Sequence, residues 1–238
     1  MNLIIEIGNT RTKFAFFETN HLTKLLEYNN EEEIDIDSIC HQRFEKAILS
    51  GSGNMYLSIW EMIEAKSKLI FDRHIVPQLK YKYKTPETLG LDRIVNAYRA
   101  MKEFLNQNSL IIDVGTCITC TFINQNGEIE GGSISPGLMM RAKSLNYYTA
   151  KLPLIEIETH TSPILIGSNT QESILSGVIM GSIYEIERRI ADYMEIYPDL
   201  RIIMTGGDTL FFENKIKYKI FADSHFTLKG LNDILNDT

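Results

Sequence analysis

Cysteine is scarce, with three residues in a chain of 238. That is too few for a disulfide framework at this length, so stability has to come from a buried core, and a reducing compartment is the default. No apolar run approaches the ~18 residues that a membrane-spanning helix requires. Basic residues are not in excess. The 24 Lys and Arg stand against 31 Asp and Glu, a net charge of −7. No basic field exists to draw in a phosphate backbone or an anionic lipid surface, so neither nucleic acid nor membrane is an expected partner. Met1–Glu6 carries no basic start, and its apolar run ends at Glu6. A secretory signal is not expected, and the expected location is the cytoplasm. The sequence also has no Gly-Lys dipeptide, and no HRD, DFG, HExxH or GxSxG string. Any phosphoryl transfer would therefore use neither a P-loop nor the protein-kinase scaffold.

What the sequence does contain is a repeat. Shifted by 107 positions, Leu3-Ile4-Ile5-Glu6-Ile7-Gly8 overlays Leu110-Ile111-Ile112-Asp113-Val114-Gly115. Each copy reads as a strand buried on both faces, a carboxylate, a Gly turn with hydroxyl or amide side chains, and a second strand. Two copies predict two similar lobes, residues 1–108 and 109–238, each of roughly the size of a small domain. Between them, Lys46–Ser50 reads as a strand, Asn54–Lys68 has near-helical spacing at Leu57, Trp60 and Ile63, and Leu69–Val76 reads as a strand stopped by Pro77. Ile94, Ala97, Tyr98, Met101, Phe104 and Leu105 mark one face of a helix. Gly131-Gly132 reads as a turn, and Ile174 to Met194 stripe a long helix ended by Pro198. Arg201–Gly207 reads as a strand running into a double-Gly turn, and Leu228–Leu235 as a terminal helix. Strands alternating with helices define an α/β fold.

Four places can carry chemistry. In Glu6-Ile7-Gly8-Asn9-Thr10-Arg11-Thr12-Lys13, a carboxylate ends a buried strand and needs a positive or donor partner. Gly8 lets backbone N–H groups approach a ligand, and Lys13 adds charge, a combination that suits polyphosphate with Glu6 facing its metal ion. The same residues can also form a hairpin whose Asn and Thr satisfy their own turn. Asp113-Val114-Gly115-Thr116 repeats the pattern, and two such hairpins facing across a cleft would clamp a nucleoside triphosphate and its cations. In Gly90-Leu91-Asp92-Arg93, Asp92 reads either as a helix N-cap or as the acceptor of a substrate hydroxyl proton, with Arg93 gripping a carboxylate. The turn at Thr205-Gly206-Gly207-Asp208 would let backbone lie flat against a nucleobase or ribose, and reads equally as a tight strand-to-helix turn. Cys117 and Cys120 lack the further ligands of a zinc site and read as packing residues. Gly177 and Gly181, one helical turn apart, would let another helix approach, within the chain or across a dimer.

This ordered set resembles the type III pantothenate kinases. Glu6-Ile7-Gly8-Asn9-Thr10 with Lys13, Thr85-Pro86 through Arg93, Asp113–Thr116, Gly167-Ser168-Asn169-Thr170 and Thr205–Gly207 together look like that family's motif series. The resemblance implies two ribonuclease H-like lobes of the actin-like/sugar-kinase superfamily, with mixed sheets flanked by helices. It implies ATP-dependent phosphorylation of pantothenate to 4'-phosphopantothenate, the first step of coenzyme A biosynthesis. Glu6, Ile7, Gly8, Asn9, Thr10, Arg11, Thr12, Lys13 and Thr116 would bind ATP with its Mg2+. Asp113 would bind a monovalent cation, potassium or ammonium. Asp92 would accept the proton, and Tyr83, Gly90, Leu91, Asp92, Arg93 and Thr170 would line the pantothenate site. A homodimer is implied, with Thr170 acting across its interface. Two positions depart from the pattern: Glu6 stands where the family usually has Asp, and Cys120-Thr121 where an Asp often occurs. The rival readings are a kinase for another small acid or sugar, and a nucleotide-responsive regulatory protein without turnover on the same fold.

Overall fold

Leu3, Ile4 and Ile5 are all buried, which requires the strand that carries them to lie in the middle of a covered sheet. The structure is a computed structural model that describes every residue except 31, 36, 41, 52–56 and 77. Strands β1 (Asn2–Ile7), β2 (Arg11–Glu18) and β3 (His21–Asn29) form an antiparallel meander. After α1 (Asp37–Cys40), β4 (Arg43–Ser50) returns parallel to β1. After α2 (Leu57–Met62), β5 (Glu64–Ile70) adds parallel to β4, so the order is β3-β2-β1-β4-β5.

The helical spacing read over 54–68 therefore yields only α2. Residues 54–56 lie outside the described residues, and Glu64–Ile70 is an edge strand. Its sequence conceals it, because Lys66, Ser67 and Lys68 are exposed and Ile70 is 52% exposed, so no apolar alternation marks it. The strand read over Leu69–Val76 is instead the end of β5 followed by a one-turn 3-10 helix at Arg73–Ile75; Pro77 is outside the described residues.

The chain continues through β6 (Lys80–Tyr81), α3 (Leu91–Glu103), β7 (Ser109–Val114), β8 (Cys117–Ile123) and β9 (Glu128–Pro136). Then come α4 (Leu138–Tyr147), α5 (Thr170–Leu175), a π-helical turn at Ser176–Met180 and α6 (Gly181–Ile196). Strand β10 (Arg201–Thr205), α7 (Thr209–Phe212), β11 (Phe221–Ala222) and α8 (Phe226–Asp237) complete it. The second sheet runs β11-β10-β7-β8-β9-β6. Without the edge strand β6, it repeats the first sheet strand for strand. Strands β7, β8 and β9 form an antiparallel meander, β10 is parallel to β7, and β11 is parallel to β10. The expected architecture, an α/β fold with two mixed sheets flanked by helices, is observed. Among the described residues, no helix is long and apolar enough to cross a membrane.

Gly131 and Gly132 do not form a turn. They lie within β9 at φ 141° and 148°, opposite Phe122 and Thr121, where the register slips by a residue. A β-bulge of this kind bends the strand and favours residues without a Cβ.

Packing divides the chain into two units, Met1–Leu79 with Thr85–Arg99 and Phe226–Thr238, and Lys80–Lys84 with Ala100–His225. In the first unit, α8 buries Phe226, Leu228, Leu231, Ile234 and Leu235. Polar contacts set its register. Asn2 Nδ2 donates to Asn232 Oδ1 at 3.0 Å and to Asn236 Oδ1 at 2.9 Å. On α3, Arg99 pairs with Asp233 at 2.5 Å, and Thr227 bonds Asn96 at 2.9 Å. A Cβ on Gly230 would stand 2.8 Å from Val95 Cγ1, so the bare backbone there allows the two helices to touch.

In the second unit, Glu185 of α6 pairs with Arg141 of α4 and, at 3.3 Å, with Arg189. Burial alone would push the Glu185 carboxyl up, but hydrogen bonds from Ser135 and Arg141, the Arg141 charge and Arg189 hold it below the usual carboxylate range. A carboxyl lowered on folding stabilises fully above its unfolded pKa, and the contribution fades as pH falls through the folded value. Glu185→Gln is therefore expected to lower Tm at pH 7 by a few degrees, about 1 kcal/mol for a half-buried pair. The difference from wild type should shrink progressively as pH falls through the folded carboxyl's pKa, read from thermal melts across pH. A constant difference from pH 7 to 3 would contradict the assignment.

Candidate active site

The first hairpin is held from outside its own turn. Gly8 N donates to Arg11 O at 2.9 Å and closes it. Asn30, just past β3, donates through Nδ2 to Gly8 O at 2.9 Å and accepts from Thr12 Oγ1 at 3.0 Å. Asn30 went unnoticed in the sequence because nothing local marks a side chain that reaches back 22 residues. Thr12 is buried with its hydroxyl committed to Asn30, whereas Asn9, Thr10 and Arg11 are exposed. The strand-end carboxylate is met by charge. Glu6 and Lys13 are cross-strand partners, with Nζ 3.3 Å from Oε2 and side chains 18% and 21% exposed.

Strand β4 ends against this hairpin at Gly51, where φ is 132° and a Cβ would fall 2.5 Å from Ile7 O. The second sheet repeats the device. Strand β10 ends at Gly206 with φ 98°, and a Cβ there would fall 2.4 Å from both Asp113 Oδ1 and Val114 O. In each sheet a hydroxyl residue precedes the glycine, Ser50 beside Glu6 and Thr205 beside Asp113. Bare backbone at the end of the fourth strand thus lets it close on the carboxylate hairpin in both copies.

The second hairpin closes through Gly115 N to Cys117 O at 3.0 Å, and Gly137 N donates to Thr116 O at 3.1 Å. A Cβ on Gly137 would lie 2.0 Å from Gly115 O, so α4 begins in direct contact with this turn. Thr116 is exposed. Cys120 is buried in the core and Cys117 is half-buried on the same strand, and neither forms a disulfide among the described residues. Among the described residues, no cluster of three His, Cys, Asp or Glu side chains could hold a metal.

Helix α3 begins at Leu91, so Asp92 lies inside its first turn instead of capping it. Asp92 is exposed; Arg93 is buried, at 4% exposure. The Asp92 carboxylate occupies the space above Gly90, where a Cβ would stand 2.4 Å from Oδ1. Gly90→Ala should therefore rotate the carboxylate away while the fold persists. A misplacement of ~1 Å costs on the order of 100-fold in rate. The expected result is a fall in kcat of that order with Tm nearly unchanged, and no further loss when the same change is made in Asp92→Asn. Additive losses in the double variant would show that Gly90 acts otherwise.

Tyr83 follows β6, which Lys82 pins to β9 through Glu128 at 2.8 Å and Glu130 at 3.3 Å. Those hydrogen bonds raise the Lys82 amine above its usual pKa and lower Glu128. The Tyr83 ring rests 3.6 Å from where a Cβ of Gly131 would be, which gives the bulge glycine a neighbour to accommodate. Thr170 is the first residue of α5. Asn169 caps this helix by accepting from Glu172 N at 2.9 Å, and Glu172 accepts from Ser168 N at 2.8 Å. Gly167 packs against Ser173 N, where a Cβ would lie at 2.3 Å. Three residues of the Gly167–Thr170 motif thus build a helix start, leaving Thr170 exposed beside a 480 Å³ pocket lined by Leu145, Leu152 and Ile174.

A family model described as type III pantothenate kinase matches residues 2–192. The chain belongs to the type III pantothenate kinase family. This family phosphorylates pantothenate with ATP toward coenzyme A, and the chain is accordingly a kinase. A type III pantothenate kinase of Bacteroides fragilis is 38% identical over 99% of this chain and 98% of its own. One from Flavobacterium johnsoniae is 38% identical over 98% and 96%. Among solved structures, a Campylobacter jejuni protein named for the Baf family of transcriptional activators superposes with TM-score 0.64 at 20% identity, covering 99% of this chain and 98% of its own. MreB5 of Spiroplasma citri, solved with ADP, gives 0.52 at 11% identity, covering 99% and 96%. At those identities the structures establish the shared two-sheet fold.

Proposed function

We propose that this chain transfers the γ-phosphoryl group of ATP to the primary hydroxyl of pantothenate, with Asp92 as proton acceptor. The observation that carries the reading is the duplicated carboxylate–glycine hairpin, at equivalent strands of two equivalent sheets, in a chain that belongs to this family. Residues 6–13 and Thr116 bind ATP. The Glu6–Lys13 contact sets an amine and a carboxylate side by side at the mouth of the hairpin, where Lys13 would meet phosphate oxygens and Glu6 the ATP-borne cation. Asp113 suits a monovalent cation such as potassium. Thr205, its neighbour in register, keeps a buried hydroxyl with no hydrogen-bond partner among the described residues, an oxygen that a bound ion could engage. Bound cations neutralise charge on the transferring phosphoryl group. Tyr83, Gly90, Leu91, Arg93 and Thr170 bind pantothenate, with Arg93 pairing its carboxylate. Asp92 orients the hydroxyl and takes its proton late, because a carboxylate is a weak base toward an alcohol ground state. Transfer passes through a loose transition state, so positioning and charge supply most of the acceleration.

The duplicated lobes are assigned to residues 1–108 and 109–238, and the protein to the cytoplasm as a homodimer. Nothing lies within 4 Å of a Cβ built on Gly177 or Gly181, so no helix of this chain fills those positions among the described residues. Nearby on α6, Tyr184 is 52% exposed. These features support a second copy of the chain as the approaching helix, with Thr170 contributing across the interface. Light scattering should return twice the chain mass.

The deciding experiment measures ADP release with pantothenate, with and without potassium. Pantothenate-dependent ADP that potassium stimulates is expected. ATP binding without pantothenate-dependent ADP would establish the regulatory reading instead, and turnover only with another acid or sugar would reassign the substrate.

A further inference from the structure

Arg201, at the start of β10, is half-buried, and its guanidinium makes no hydrogen bond or ion pair among the described residues. Its Nε is sealed from solvent without an acceptor. The group lies over the Phe104 ring, 4.8 Å from its centroid, and Phe104 in turn meets Phe221 edge-on at 5.3 Å. Aromatic stacking holds the guanidinium plane in place and supplies no acceptor. A guanidinium carries five N–H donors, and removing it from water without an anion is costly.

Arg201 lines a pocket of about 320 Å³, between the end of α6 and the segment leading into β11. Its other walls include Met194, Ile202, Tyr218 and Ile220, and Lys219 stands at its rim. Lys219 is exposed and has no ion pair among the described residues, whereas Lys217 nearby is occupied by Glu187 at 3.3 Å. The volume lies at the lower end of the range of small-molecule sites, and apolar walls with a few polar groups are their usual composition. None of these residues belongs to the hairpins, to the start of α3 or to the Thr170 pocket.

We propose that this pocket is a second small-molecule site, which takes a small organic anion with an apolar body. The anion would engage Arg201 and Lys219, and the apolar part would lie against Met194, Ile202 and Tyr218. The site does not depend on which substrate the kinase phosphorylates.

The test titrates the full chain with 3-phenylpropionate and, separately, with the uncharged 3-phenylpropanol, following amide shifts by NMR. Saturable shifts are expected at Ile220 and Phe221, with the alcohol at least ~10-fold weaker, the loss that follows from one charge-assisted hydrogen bond. Arg201→Gln should weaken the acid by a similar ~10-fold and leave the alcohol unchanged. Lys219→Gln should weaken the acid less, because an exposed lysine contributes less. Arg201→Gln removes the stacking on Phe104 but no hydrogen bond or ion pair among the described residues, and the thermal melt serves as the control for folding. Ile220→Trp, which fills the apolar part, should abolish binding of both ligands. Equal affinity for acid and alcohol, an unaltered affinity in Arg201→Gln, or shifts confined to residues around Asp92 and Thr170 would each overturn the assignment.

Discussion

Asp92→Asn is expected to lower kcat by at least ~100-fold, the low end for loss of an acid–base group, while ATP affinity stays within about twofold of wild type. The side chain is exposed, lies in the first turn of α3, and does not cap that helix. Its position over Gly90 is of the kind that stability alone does not require. Removing the charge costs the helix start only a few tenths of a kcal/mol through the macrodipole, so Tm should hold. The amide retains the shape of the carboxylate and loses the ability to accept the hydroxyl proton. Turnover is read from ADP release under saturating pantothenate, and ATP affinity from a direct titration. Near-normal turnover would remove Asp92 from the mechanism.

The second large effect is expected at Gly206. An alanine there must adopt φ near 98° and place its Cβ 2.4 Å from the Val114 carbonyl oxygen. Backbone strain of about 1–3 kcal/mol adds to overpacking of a similar size. For a chain of this length the combined cost corresponds to a Tm lower by about 10 °C. The same methyl would intrude on Asp113 Oδ1, so the potassium concentration for half-maximal activity should rise severalfold in whatever fraction remains folded. Gly207→Ala is the internal control, since nothing lies within 4 Å of its Cβ position. It should be close to wild type in both measurements. Equal behaviour of the two variants would show that the close contact at Gly206 does not matter.

Several features were legible because they are local. The Leu-Ile-Ile-carboxylate-X-Gly strings at residues 3 and 110 announce two similar sheets, and apart from the edge strand β6 both sheets have the same strand order. Pro198 follows the end of α6, as its ring requires. The features that were hidden depend on distant partners. Strand β5 has an edge position and a polar surface, so its sequence lacks the alternation of a half-buried strand. The glycines of β9 resemble a turn, and the strand on either side becomes evident only through the pairing with β8. From its spacing Asp92 reads first as a cap, until the helix start is located at Leu91. The correspondence of Gly51 with Gly206 is invisible in an alignment of the two halves, because the segments before them differ in length. It emerges from the shared close approach to the carboxylate turn. Asn30 is a further case, a side chain whose importance lies entirely in what it reaches.

The first unit is assembled from three separate stretches, and its last piece is α8. A ribosome delivers that piece only after some 125 intervening residues have emerged, since the stretch ending at Arg99 must wait for the one starting at Phe226. Until then, the apolar faces that Leu231 and Ile234 will cover stay open, and Asn2 has no Asn232 to engage. The amino-terminal half of a nascent chain would therefore be a client for chaperones, while the Ala100–His225 unit can consolidate first. In this chain the stretch made first completes its packing with the stretch made last.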